Sequence, residues 1–350
     1  LEGARVQILQ NGLSVGDVSA ISADHAVASP VANARQIEIL RGAAALLYGS
    51  GSSGGLVNVV NDRILTTLPD KPTGAVNTSY DTVSNGRAAS GVIESSVGSV
   101  AVHVDTAINN NQNYRIPGNS ALNGNTNWNI PGIDGVNYTG KLPNSFNNQN
   151  NLGIGASYIG KSGYTGISVE RLNNNYGIPT PEGGMIAQSQ NRYDIQHQTR
   201  DPFAGFSSIK FSAANSNYNH TEFSITNGAY TPAALWKNIA NEARLELAHK
   251  AIMGWKGTFG AQVTRSSVEA VEIGSGSYAI LPSTKTNSNA LFWIEEGRWG
   301  ALQGNLGLRY DSVKQNPNSA TIYENPGFNG TTPTEPSAQS KNFNLLSYSA

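Results

Sequence analysis

Within this 350-residue sequence, Gly49–Gly55 (GSGSSGG) is the stretch whose composition most suggests a chemical device, a glycine-rich turn whose backbone amides could cradle an anion. Phosphate loops lie between a strand and the start of a helix, and the Walker type carries a Lys. Here the glycines follow a helical turn, Gly42 to Tyr48, lead into the apolar run Leu56, Val57, Val59, Val60, and include no Lys. Other candidates fall in the same way. No G-x-S-x-G lies between a strand and a helix to expose a serine nucleophile. Glu295 and Glu296 read as a strand end and a turn rather than as a general acid and base. Cysteine is absent, which removes disulfides and thiolate ligands. Trp128, Trp236, Trp255, Trp293 and Trp299 fall near strand ends or in loops, where a membrane-interface girdle is the natural reading for most of them. The sequence therefore reads as non-enzymatic, with no bound cofactor.

The elements that must position these residues are mostly strands. Ile37 and Ile39 alternate with Gln36, Glu38 and Leu40 ahead of the helical turn, and Arg5 to Gln10 is a strand turned by Asn11-Gly12, a hairpin signal. Residues 63–74, with Pro69, Pro72, Asp70 and Lys71, read as a linker. Beyond Lys71 period-2 runs recur: Val100, Val102, Val104; Leu152, Ile154, Ala156, Tyr158; Thr165, Ile167, Val169; Ile209, Phe211, Ala213; Leu306, Leu308, Tyr310. Composition narrows the class. Only 38% of residues are hydrophobic and 13% charged, with 38 glycines, which is unlike an average globular domain. It suits a transmembrane β-barrel, whose strands alternate lipid-facing apolar with lumen-facing small polar residues. A soluble β-sandwich shares the alternation, but short turns at Ser84-Asn85-Gly86, Gly98-Ser99, Gly160 to Gly163 and Glu296-Gly297-Arg298 alternate with long polar excursions at residues 109–151, 173–191 and 317–341, an asymmetry typical of outer-membrane barrels. No stretch approaches a membrane helix. Net charge is −1, from 23 Lys plus Arg and 24 Asp plus Glu, so nothing points to nucleic acid.

Glu38, Leu40, Arg41, Gly42, Leu47, Tyr48, Gly49, Gly54, Gly55, Val57 and Asn58 together resemble the plug-domain signature of TonB-dependent outer-membrane receptors. That signature is a strand ending in LRG, a small-residue helix, a YG, a glycine loop and a GG-hydrophobic-N strand. Ala43 departs from it, where the family usually has Pro. The resemblance implies a plug over residues 1–70 and the first part of an all-β membrane barrel over 71–350, with roughly twelve antiparallel strands of the ~22 in plugged transporters. It also implies location in the bacterial outer membrane, contact with its lipid, and coupling to the inner-membrane TonB complex through a segment preceding Leu1. The expectation is a longer protein cut at both ends. Arg41, beside Glu38, is expected in a buried ion-pair network between plug and wall.

Within that family, SADHA (Ser22 to Ala26), Asn191 to Phe206 and NYNHTE (Asn217 to Glu222) resemble the zinc-uptake branch. This implies a metal site of Asp24, His25 and Glu222, with a later barrel His outside the sequence and His220 as a reserve ligand. The residue types suit zinc, which takes imidazole nitrogen and carboxylate oxygen. Parity supports Glu222: if Ser208, Lys210 and Ser212 face the lumen, so do His220 and Glu222. The branch's His-rich outer loop is replaced here by Pro179 to Gln190. Alternative readings are an iron-siderophore or cobalamin receptor, a passive porin or adhesin, and a soluble β-rich binding domain.

Overall fold

Asn11 and Gly12 both take positive φ, 51° and 81°. This geometry matches the twist of an antiparallel hairpin, folding β1 (Gln7–Gln10) onto β2 (Leu13–Ser14). The computed structural model describes residues 5–49, 54–120, 139–273, 279–318 and 339–350. β3 (Gln36–Leu40) leads through Gly42, at φ 66°, into the single turn α1 (Ala43–Leu46), which forms without the usual proline. β4 (Leu56–Val60) then pairs antiparallel with β3 and parallel with β1, giving a four-stranded plug sheet in the order β2-β1-β4-β3. Gly55, at φ 97°, holds the entry to β4, because a Cβ there would meet the Leu40 carbonyl.

Barrel strands begin at Thr73. They are β5 (Thr73–Asp81), β6 (Gly86–Val97), β7 (Val100–Asn111), the short β8 (Arg115–Asn119) and β9 (Thr139–Lys141), β10 (Asn147–Ile159), β11 (Gly163–Gly177) and β12 (Met185–Arg200). There follow β13 (Phe206–Thr226), β14 (Ala229–His249), β15 (Trp255–Glu272), β16 (Ala279–Trp299), β17 (Leu302–Pro317) and β18 (Lys341–Ser349). β8 and β9 form a separate ribbon; the rest make one antiparallel sheet of 12 strands, with β5 and β18 at its edges among the described residues. Among those residues no helix is long and apolar enough to cross a membrane.

The faces of this sheet decide between barrel and sandwich. On β11, Ile167 and Val169 are 58% and 43% exposed while Ser168 and Glu170 are buried. The same inversion holds on β7, where Val102 and Val104 are exposed and His103 and Asp105 buried. A soluble sandwich would bury the valines. Apolar outside and polar inside is the pattern of a wall between lipid and a wet lumen.

The plug has almost no core of its own. Leu9, Ala45 and Leu56 form one small cluster, whereas Val15, Val18 and Ala28 pack onto wall residues Leu172, Tyr218, Ala234 and Trp236. The wall supplies the polar partners too. Arg192 donates to the Ser14 carbonyl at 2.6 Å, Glu242 accepts the Ser14 amide at 3.0 Å, and Arg309 and Arg244 both donate to the Leu47 carbonyl at the end of α1. From the plug side, Arg63 pairs with Asp105 (2.6 Å) and Glu170 (2.5 Å), all three nearly inaccessible. Its backbone lies flush on β10, where a Cβ on Gly155 would overlap the Arg63 carbonyl.

Several sequence expectations are corrected. Arg41 is exposed and, among the described residues, joins no buried ion pair, while its neighbour Glu38 accepts from Asn58 at 2.9 Å; Arg63 holds a buried plug-to-wall position. Glu296-Gly297-Arg298 is strand, not turn: Gly297 lies beneath the Trp299 ring, which a Cβ would strike, and the chain reverses at Gly300, φ 58°. Residues 173–177 and 185–191 belong to β11 and β12, paired from Asn173↔Ser189 to Gly177↔Met185, so that loop shrinks to 178–184. Trp236 points into the lumen and is buried, whereas Trp255 and Trp299 meet edge to face at 4.7 Å and Trp293 is exposed on the outer face. Trp128 and Ser50–Ser53 lie outside the described residues.

Replacing Arg63 by Ala strands two buried carboxylates, a change that costs about 3–5 kcal/mol where a buried pair is broken. Pulse proteolysis across a urea series should show the plug of that variant opening at clearly lower urea. Gly155→Ala, which keeps all charges but displaces the Arg63 backbone, should shift in the same direction; an unchanged midpoint in both would remove Arg63 from this role.

Candidate metal centre

His25 ends a turn in the plug loop, its amide donating to the Ser22 carbonyl at 3.2 Å. Tyr176 of β11 clamps the turn from the wall: its hydroxyl donates to the Asp24 carbonyl at 2.9 Å and accepts the Ala26 amide at 2.8 Å. The His25 Nδ1 lies 3.2 Å from the Val18 carbonyl. A carbonyl can only accept, so Nδ1 carries the proton and Nε2 is turned to the wall.

Opposite it stand His220 and Glu222, two residues apart on the lumen face of β13, where Ser212, Ala214, Ser216, Tyr218 and His220 are all buried. The register with β14 shifts between Glu222 and Phe223, so Glu222 is the last residue in the regular ladder. Glu222 Oε1 is 3.1 Å from His25 Nε2 and 3.4 Å from His220 Nε2. One potential ligand atom from each of His25, His220 and Glu222 lies within 4.8 Å of the other two. His220 is oriented by the Tyr218 hydroxyl, 2.8 Å from Nδ1, and Trp236 stacks on its ring at 5.7 Å while meeting His25 edge-on at 4.9 Å.

Of the four residues expected at the site, the structure brings His25, His220 and Glu222 together. Asp24 is exposed, with its carboxylate turned to the Ser22 hydroxyl. Tyr176, Tyr218 and Trp236 were not anticipated; the signal for Tyr218 was its parity with His220 and Glu222. Burial alone would favour neutral His25, but the hydrogen bonds to Glu222 and Val18 and the nearby Asp24 outweigh it and raise its pKa above 6.5. A proton on Nε2 thus occupies the position a cation would take. A cavity of about 610 Å³ opens beside His25 between plug and wall, lined in part by Asp17, Glu242 and Asp311.

Residues 1–56 match the family model described as TonB-dependent Receptor Plug Domain. Among solved structures, the copper transporter OprC aligns with TM-score 0.71 and 11% identity over 99% of this chain and 52% of that one. The FrpB iron transporter from Neisseria meningitidis (F3-3 variant) aligns at 0.67 and 11% over 98% and 54%, and the unliganded ferric citrate transporter FecA at 0.66 and 11% over 98% and 50%. The fold is that of a TonB-dependent receptor. The chain spans about half the length of these structures. A wall that is apolar outward and polar inward is the pattern of a membrane-spanning β-barrel.

The raised pKa sets two opposite pH trends. A metal needs unprotonated Nε2, so zinc affinity should fall by about tenfold per pH unit below the His25 pKa. Without metal, the His25 to Glu222 pair stabilises the plug loop fully below 6.5 and is lost as pH rises through the raised value. Hydrogen exchange of residues 17–28, corrected for intrinsic rates, should show better protection at pH 6 than at pH 8.5 in metal-free protein. Calorimetric zinc titration should rank the two conditions the other way.

Proposed function

We propose that this chain is part of a TonB-dependent receptor that takes up a divalent metal ion, zinc foremost, across the bacterial outer membrane, with release driven by the inner-membrane TonB complex. The observation that carries the reading is the convergence of two imidazoles and a carboxylate from separate elements, plug loop and β13, on one ion-sized point. Nitrogen and oxygen donors without sulfur suit Zn²⁺, and Cu²⁺ after it, whereas Cu⁺ favours Cys and Met. Zinc is usually four-coordinate. Asp24 supplies the fourth donor by rotating its exposed carboxylate away from Ser22 toward the ion held by its neighbour. The donors' close spacing favours a bare ion over an iron chelate or cobalamin, which would need a wide chamber at the ligands. The cavity beside His25 is lined by Asp17, Glu242 and the Arg309–Asp311 pair, an excess of acid that favours entry of a cation.

Isothermal titration of the purified protein with Zn²⁺ tests this. His25→Ala, His220→Ala and Glu222→Gln should each weaken binding by about 100-fold or more, a quarter share of a structural zinc site's free energy. Tyr218→Phe should cost about tenfold by releasing His220 from its orientation. Asp24→Asn should fall with the ligand variants. Zinc affinity unchanged across the three ligand variants, with a ferric chelate bound instead, would replace metal by chelate as cargo.

A further inference from the structure

Away from the metal centre, a wall histidine stands between two carboxylates. His103 of β7 has a side chain only 5% exposed, with Nδ1 3.0 Å from Glu94 Oε1 on β6 and Nε2 3.3 Å from Asp105 Oδ2 on its own strand. An ionised carboxylate only accepts, so a neutral imidazole, which carries one N–H, leaves its bare nitrogen facing an oxygen. Only the imidazolium, with a donor on each nitrogen, suits both neighbours.

The second of these oxygens is shared. Asp105 Oδ2 also accepts Arg63 Nε at 2.6 Å, while Asp105 Oδ1 accepts Arg63 Nη2 at 3.0 Å and Asn151 Nδ2 at 3.4 Å. Two cations thus converge on one oxygen, within about 6 Å of each other, a range at which each charge alters the energy of the other. They differ in what carries them. Arg63 belongs to the plug and His103 to the wall. The remaining charges nearby are engaged elsewhere: Glu170 on β11 pairs with Arg63 at 2.5 Å and accepts from Gln10, and exposed Arg35 is paired with Asp62 at 2.6 Å. On its β10 side His103 faces Gly155, which brings no charge. With Arg63 withdrawn, His103 is the one cation among the described residues left against Asp105.

We propose that His103 is a standby cation, which takes over Asp105 when the plug withdraws Arg63. Breaking a buried ion pair is costly mainly because it strands the charge that stays behind. With the plug in place the imidazolium holds Asp105 loosely, at 3.3 Å against 2.6 Å for the guanidinium, and repels that guanidinium across the shared oxygen. Once the guanidinium leaves, the imidazolium closes on the carboxylate alone. His103 is therefore a positioning residue that weakens the closed contact and steadies the open wall. Glu94, whose side chain is 25% exposed, holds the outer ring nitrogen and links it to solvent. Opening is eased while His103 is charged and loses that help as pH rises through its titration. No group of this cluster belongs to the metal centre, so the inference is independent of the cargo.

Pulse proteolysis of the metal-free receptor across a urea series, at pH 6 and pH 9, tests it. His103→Gln, uncharged at both, should hold the plug more tightly than wild type at pH 6, with an opening equilibrium constant about tenfold smaller, and the difference should shrink at pH 9. His103→Asn serves if that variant assembles poorly. His103→Lys, cationic throughout, should open as readily as wild type at pH 6 and keep that behaviour at pH 9. Comparing each variant with wild type at the same pH removes the contribution of His25. A residue that merely braces the wall would act in the other direction, its loss opening the plug at lower urea at both pH values. That result, or equal midpoints for wild type and His103→Gln at pH 6, would overturn the proposal.

Discussion

The structure depends on one constraint: a plug with little apolar core must have its polar backbone satisfied by the wall that surrounds it. Buried carbonyls and amides without partners cost as much as lost hydrogen bonds. Here the wall answers with long side chains. Arg192 reaches the carbonyls of Ser14 and Val15, Gln190 reaches Val15 again, Asn238 reaches Gly16, and Arg309 reaches the end of α1. Each wall arginine is in turn neutralised on its own strand, Arg192 by Asp194 and Arg309 by Asp311, both two residues on and on the same face. The polar lumen face of the strands thus follows from the poverty of the plug.

Arg63 reverses the direction. It is a plug cation held by wall acids, and its side chain needs the wall thinned to backbone at Gly153 and Gly155 to lie so close. Gln10 joins the same group by donating to Glu170 at 2.8 Å, so the first plug strand and the segment leaving the last are tied to one point. A charge so deeply placed is tolerable only because two carboxylates and a register of glycines were placed for it.

Much of this was legible in the sequence because the signals were local. Asn11-Gly12 gave its hairpin, and alternation gave the wall strands and the inward parity of His220 and Glu222. Where reading failed, a distant partner overrode a local signal. Glu296-Gly297-Arg298 looks like a turn, yet the Trp299 ring covers Gly297 and keeps it in the ladder. Asn173 to Asn175 look like loop, yet they pair with Asn150, Gln149 and Asn148 on β10, and above the lipid an amide-rich face costs a strand little. Arg41 and Arg63 are alike in composition and near in sequence. What separates them is which lies against acids and glycines contributed by β7, β10 and β11, and no pattern within the plug contains that.

The metal centre follows the same logic as the plug contacts, with a difference that bears on transport. Its donors are divided, His25 on the plug loop and His220 with Glu222 on the wall, and the loop is held over them by the Tyr176 hydroxyl and by Gln188, which donates to the Ala26 carbonyl at 3.3 Å. On the proposed reading, an ion bound there is bound by the interface between two bodies and by neither of them separately. Any displacement of the plug by more than the roughly 2 Å of a zinc–ligand bond dismantles the site. High affinity at rest and release under load then need no second conformation of the wall, because separating plug from wall is itself the loss of affinity. The raised pKa of His25 fits the same scheme: once the ion has left, a proton can restore the contact with Glu222 and reseat the loop.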